Sequence, residues 1–110
     1  MSNSGNASYH FFFSNLANPL RIDIVLSLRD KEKSVTKLYK ELGVEQSKLS
    51  HALASLRCCN IVESKKQGKE RIYFLNKKTI MPILNLIDKH STNFCKTPCS
   101  KCEKASHKLA

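Results

Sequence analysis

Gly43-Val44-Glu45-Gln46-Ser47-Lys48-Leu49-Ser50-His51-Ala52-Leu53-Ala54-Ser55-Leu56-Arg57 is the stretch that decides the fold. Leu49, Ala52, Leu53 and Leu56 recur at i, i+3, i+4 and i+7, while Ser47, Lys48, Ser50, His51, Ala54 and Ser55 fill the other positions. That period gives one helix an apolar stripe and a polar face. Upstream, Thr36 is expected to cap a short helix that turns Leu38 and Leu42 inward, with Gly43 just past its end. Downstream, Asn60 suits a left-handed backbone beyond the polar-faced helix. Ile61 to Lys66 and Glu70 to Leu75 then read as two strands separated by Gln67-Gly68-Lys69.

A short helix, a turn, a polar-faced helix and a basic hairpin are the element order of a winged helix-turn-helix. In such a unit the first helix braces the second, whose first residues enter the major groove. Gln there can bond adenine, Ser several base edges, and Lys guanine or phosphate. Gln46, Ser47, Lys48, Ser50 and His51 are therefore the expected base-reading residues. Lys65, Lys66, Lys69 and Arg71 on the hairpin are expected to reach flanking phosphates or the minor groove. Charge agrees: 19 Lys+Arg against 9 Asp+Glu give a formal +10, which calls for a polyanionic partner, either nucleic acid or anionic lipid. Residues 1–30 are balanced, Arg21 and Arg29 against Asp23 and Asp30, whereas residues 61–80 carry six basic and two acidic residues. A positive field localised in this way favours double-stranded DNA.

The 110 residues make one domain whose core is marginal unless a partner covers part of its apolar surface, so a homodimer is expected. Met1 to Ser8 is small and polar and is expected to fray, as a flexible N-terminus over 1–8. Tyr9 to Leu16 reads as a helical segment whose Phe11, Phe12 and Phe13 cannot all face one core. Pro19 suits the first turn of a second helix ending near Asp30, with Ile22, Val25, Leu26 and Leu28 apolar and Arg21, Asp23 and Ser27 wet. Thr79 can cap a last helix with Pro82 in its first turn and Ile80, Ile83, Leu84, Ile87 and Phe94 on one side. The expected fold class is mainly α with a β-hairpin wing. Residues 9–94 form its DNA-binding and dimerisation domain, and 95–110 a Cys- and Lys-rich tail.

No stretch approaches the length of a membrane span, and Met1 to Ser8 lacks the basic and apolar regions of a signal peptide. A cytoplasmic chain with no membrane partner is expected. There is no phosphate-cradling glycine loop and no locally supported Ser/His/acid set, which speaks against an enzyme.

Four segments carry a family resemblance: Leu16-Ala17-Asn18-Pro19-Leu20-Arg21, Val35-Thr36-Lys37-Leu38, Leu42 to Leu53, and Leu56-Arg57-Cys58-Cys59-Asn60-Ile61-Val62. Together they resemble the ArsR/SmtB family of bacterial and archaeal repressors, with a match from about Phe11 to Phe94 and Gly68 to Leu75 similar to that family's wing. The resemblance implies a homodimer through the first and last helices, two recognition helices facing successive major grooves, and repression relieved by an inducer. It assigns Phe11, Phe12, Phe13, Ile83 and Ile87 to the dimer interface. Two positions depart from the family pattern: Ala52 stands where a His is usual and Asn60 where a Gly is usual.

The family's metalloid site implies a Cys-x-Cys element near Thr36, which this sequence lacks. Its other common metal site implies Asp-x-His and a second ligand pair on the last helix. Asp88-Lys89-His90 matches the first half only. Cys95, Cys99 and Cys102 are the sharper candidates, since three thiols within eight residues offer three soft ligands or a disulfide. The cofactor is then zinc, arsenite, another thiophilic ion, or none. Zinc would take a fourth ligand, for which His90, His107 or a residue from the other subunit could serve. Cys58 and Cys59 read as small structural side chains at a helix end. Three readings follow: a repressor sensing a metal, metalloid or thiol oxidant through the tail, a constitutive DNA-binding regulator, or a winged interaction module with a metal-carrying tail.

Overall fold

The computed structural model describes residues 2–94, which run α1 (Ser2–Leu16), α2 (Pro19–Leu28), β1 (Lys33–Ser34), α3 (Val35–Leu42), α4 (Gln46–Cys58), β2 (Val62–Gln67), β3 (Glu70–Leu75) and α5 (Ile80–Phe94). Residues 1–77 form one unit and the chain from Lys78 a second. Among the described residues no helix is long and apolar enough to cross a membrane.

Each element of the first unit has a local cause. In α1 the helix begins at Ser2, so its start lies well before the Tyr9 that the apolar pattern marks. Asn18 caps α2: its side-chain oxygen accepts from the Arg21 N–H at 3.1 Å, and Pro19 occupies the first helical position, where a missing N–H costs nothing. The buried face of α2 is Ile24, Val25 and Leu28, which corrects the expected apolar set, because Ile22 and Leu26 are exposed. The cap of α3 is Ser34 rather than Thr36, with Ser34 Oγ accepting from the Lys37 N–H at 3.1 Å. Ser34 is already extended because β1 pairs with β3, Ser34 opposite Ile72 and Lys33 opposite Tyr73. The cap falls where that pairing ends.

Gly43 closes α3 in the left-handed region at φ 62, where a side chain would be strained. α4 buries Leu49, Ala52, Leu53 and Leu56, the stripe its sequence marks. Its end is a Schellman motif: Asn60 sits at φ 58, its N–H bonds the Arg57 carbonyl at 2.9 Å, and the Ile61 N–H bonds the Leu56 carbonyl at 3.0 Å. Ile61 and Leu56 are both buried, supplying the apolar contact that accompanies this cap. The sheet order is β1-β3-β2, wholly antiparallel. Gln67 pairs with Glu70, so the hairpin turn is Gly68-Lys69, with Gly68 at φ 65. A two-residue turn with positive φ at a leading glycine matches the twist of the strands it joins. In the second unit, α5 buries Ile80, leaves Ile83 and Leu84 half-buried, and exposes Leu86 and Ile87.

Candidate nucleic-acid interface

α3, the Gly43 turn and α4 form the helix-turn-helix, and the burial of α4 divides its residues by role. With Leu49, Ala52, Leu53 and Leu56 packed inward, Gln46, Ser47, Lys48, Ser50 and His51 are all exposed along the opposite side. Glu45, at the helix's amino end, makes no side-chain capping bond. The first-turn N–H groups therefore remain to be met by solvent or by an anion such as a phosphate.

Beside that face lies a groove of about 550 Å³ lined by Asn18, Leu20 and Arg21 from the start of α2 and by Ser47, Lys48, His51 and Ala52 from α4. Asn18 and Arg21 belong to the Leu16-Ala17-Asn18-Pro19-Leu20-Arg21 segment that resembles the family, yet neither is among the residues expected to touch bases or phosphates. The capping role of Asn18 was the one sequence signal that could have brought them in. Arg21 is fixed in place: its Nη1 donates to Asn15 Oδ1 at 2.7 Å and reaches the Asn15 carbonyl at 3.4 Å. Asn15 is the buried polar residue of the described chain, 2% exposed, and its Nδ2 donates to the Ser55 carbonyl at 2.8 Å and to Cys59 Sγ at 3.0 Å. One amide thus ties α1 to the last turn of α4 and to the groove-lining arginine.

The hairpin cations fall into two groups. Lys66 and Arg71 are directly opposite each other across β2 and β3, on one face, and Arg71 Nη1 donates to Ser64 Oγ at 3.1 Å. Lys65 points to the other face, where its Nζ lies 3.0 Å from Glu32 Oε1 and 5.6 Å from the centre of the Phe74 ring. Lys69 is exposed at the turn. The hairpin's positive charge is therefore concentrated at its tip, on Lys66, Lys69 and Arg71, while Lys65 is matched by a carboxylate.

Among the residues expected at the dimer interface, Phe11, Phe13 and Ile87 are exposed and Phe12 and Ile83 half-buried; the Phe12 and Phe13 rings meet edge to face at 5.5 Å. Asp88 and His90 lie exposed on α5, and among the described residues no group of three or more His, Cys, Asp or Glu is placed to hold a metal ion. Cys95, Cys99, Cys102 and His107 lie outside the described residues. Cys58 is exposed rather than a structural filler, and Cys59 is half-buried. Both are free thiols.

Comparison with known proteins agrees with this architecture. Residues 18–64 match the family model described as bacterial regulatory protein, arsR family. The Mycobacterium tuberculosis HTH-type transcriptional regulator Rv0081 is 35% identical over 74 residues, 66% of this chain and 65% of that protein. The matched stretch thus spans slightly less than two thirds of that relative's length. Its crystal structure superposes with a TM-score of 0.72 at 27% identity, covering 96% of this chain and 95% of that one. A biofilm growth-associated repressor of Xylella fastidiosa is 32% identical over 80 residues, 73% of this chain and 68% of that protein. The homodimeric winged helix-turn-helix DNA-binding domain of Mb0332 from Mycobacterium bovis has a TM-score of 0.78, with 86% of this chain and 88% of that one covered. At 18% identity that last likeness concerns the fold alone.

Proposed function

This chain belongs to the arsR family of bacterial regulatory proteins, and we propose that it acts as a homodimeric repressor that reads duplex DNA with α4 and steadies itself with the β2–β3 wing. Membership makes it a DNA-binding transcriptional regulator and not an enzyme. The carrying observation is the division of α4: Leu49, Ala52, Leu53 and Leu56 buried, Gln46, Ser47, Lys48, Ser50 and His51 exposed together. Gln46, Ser47 and His51 present donors and acceptors for base edges, and Lys48 a cation for guanine or phosphate. Lys66, Lys69 and Arg71 at the wing tip hold the register on the backbone without reading sequence. Apolar residues left exposed on α1 and on α5 support the dimer, since a monomer gains nothing by keeping them in water. In the same reading Cys95, Cys99 and Cys102 take a metal, a metalloid or an oxidant that weakens DNA binding.

Titration of labelled DNA from upstream of the protein's own coding region tests this. Tight binding to that DNA, loss of affinity to unrelated duplex, and a steep decline with salt are expected. Equal affinity for both duplexes would overturn the regulator reading. Arsenite, zinc or a disulfide-forming oxidant should then release DNA from the wild type and not from Cys99→Ser/Cys102→Ser; no response in the wild type leaves a constitutive regulator.

A further inference from the structure

We propose that the groove between the start of α2 and α4 seats a phosphate of the DNA backbone, bound by the Arg21 guanidinium, so that the duplex is held on the flank of α4 away from the wing. The proposal rests on α4 being the DNA-reading helix and adds a backbone contact from outside the helix-turn-helix and the wing. Three observations carry it.

The first is how Arg21 is held. Its Nη1 donates to Asn15 Oδ1 at 2.7 Å and to the Asn15 carbonyl at 3.4 Å, and Asn15 is itself buried and bonded to the Ser55 carbonyl of α4. A neutral amide orients a guanidinium without cancelling its charge, whereas a carboxylate in its place would do both. Among the described residues no carboxylate pairs with Arg21, and its Nε and Nη2 donors are unspent. A preoriented cation with donors to spare, half-buried in the groove wall, suits the paired oxygens of a phosphate.

The second is the rest of the lining. Its ionisable residues are Arg21, Lys48 and His51, and no acidic residue joins them. Asn18 keeps an amide nitrogen to donate, because its oxygen already accepts from the Arg21 N–H. The third is position. At about 100° per residue, Lys48, His51 and Ala52 fall to one side of the polar face of α4, and Ala54 and Arg57 to the other. Ala54 and Arg57 line a separate hollow of about 420 Å³ with Val62, Glu63 and Ser64, at the foot of the wing. A helix lying in a major groove about 12 Å wide has a sugar-phosphate strand along each flank. The wing serves one flank. Arg21 meets the other.

Ethylation interference with the full chain, on labelled DNA from upstream of its own coding region, tests this. Ethylating a phosphate removes its charge. The wild type should show a phosphate in each half-site where ethylation blocks binding and where Arg21→Gln is indifferent, every other interference position being kept. Arg21→Gln should bind about tenfold more weakly per chain on specific and unrelated duplex alike, and lower the slope of log affinity against log salt by roughly 1 per chain. Arg21→Lys keeps the charge and a donor for Asn15 and should keep the wild-type slope. The wild type gives a reading free of any effect on folding: phenylglyoxal should modify Arg21 in the free protein and not in the DNA complex, as peptide masses report. An unchanged slope in Arg21→Gln, a loss spread evenly over all interference positions, or Arg21 equally reactive with and without DNA overturns the proposal. So does an Arg21 unreactive in the free protein, whose donors would then be taken. Inorganic phosphate that raises the melting temperature of the wild type and not of Arg21→Gln, with the DNA slopes equal, would assign the groove to a free anion and overturn it too. The slope is also read on unrelated duplex, so failure of the wild type to prefer its own DNA counts against the regulator reading and leaves this test standing.

Discussion

Lys33 Nζ donates to both carboxylate oxygens of Glu41, at 3.1 and 2.8 Å, and to Ser27 Oγ at 2.9 Å, while the Ser27 hydroxyl donates to Glu41 Oε2 at 3.0 Å. The closed triangle joins α2, β1 and α3, and so fixes the helix that braces α4. The Lys33 side chain is 11% exposed and the Glu41 side chain 38%, so one partner is sheltered and the other open to solvent. The hydrogen bond from Lys33, then that from Ser27, hold the Glu41 carboxyl below its ordinary 4.5. A carboxylate with a lowered folded-state pKa contributes stability that is fully present above the unfolded value and is lost as pH falls through the folded value. Glu41→Gln should therefore lower the melting temperature at pH 7, with the gap to wild type closing as pH falls below 4.5. Thermal melts across pH 3 to 7 check this, and a constant gap would remove the ion pair as its cause.

Asn60 offers a sharper test of backbone geometry. Its φ of 58 is the positive value found at no other non-glycine residue among those described. The bonds that hold this turn, from the Asn60 N–H to Arg57 and from Asn76 Nδ2 to the Asn60 carbonyl at 3.0 Å, use only its main chain. Asn60→Ala should cost about 1 kcal/mol in urea unfolding and Asn60→Gly almost nothing, because only the first puts an unfavourable Cβ in the left-handed region. Equal losses for both would assign the side chain a role that these bonds do not give it.

These two positions also show where sequence was informative. Asn60 was legible because a short polar residue after an amphipathic helix is a local signal, and α4 was legible because four apolar residues at helical spacing admit one face. β1 was not. A two-residue strand has no alternation to detect, and its existence depends on Ile72 and Tyr73 far along the chain. That pairing also moved the α3 cap from Thr36 to Ser34. In α2, apolar residues on most sides allowed two faces, and packing selected Ile24, Val25 and Leu28 over Ile22 and Leu26. Asn15 gave no signal at all, since its partners Ser55 and Cys59 are remote in sequence. For the site the lesson is the same: the exposed face of α4 was written in its period, while the Arg21 side of the groove was assembled by tertiary contacts.

On the wing, charge already matched within the protein has less to offer DNA. Lys65 faces Glu32 at 3.0 Å, so removing it also frees a carboxylate, whereas Lys66 and Arg71 lie side by side on the other face. Lys66→Ala and Arg71→Ala should each weaken binding about equally on specific and unrelated DNA and reduce the slope of log affinity against log salt by roughly 1. Lys65→Ala should change the slope less than either. Salt titrations of the three variants decide, and a Lys65 effect equal to that of Lys66 would mean that the Glu32 pair opens on the DNA.

The apolar surface makes the last prediction. Phe11 and Phe13 on α1 are 55% and 62% exposed, and Leu86 and Ile87 on α5 are 65% and 51% exposed. A charge placed at any of these positions meets water in the isolated chain and so should leave its fold unchanged. In a dimer that covers them, the same charge is buried without a partner, which is strongly unfavourable. Ile87→Glu should therefore keep the wild-type circular dichroism spectrum while sedimentation equilibrium shifts from dimer to monomer. DNA affinity should fall with it, because two recognition helices bound to adjacent half-sites are replaced by one. A variant that remains dimeric and binds as before would place the subunit contact elsewhere. If the wild type itself sediments as a monomer, these residues need another cover.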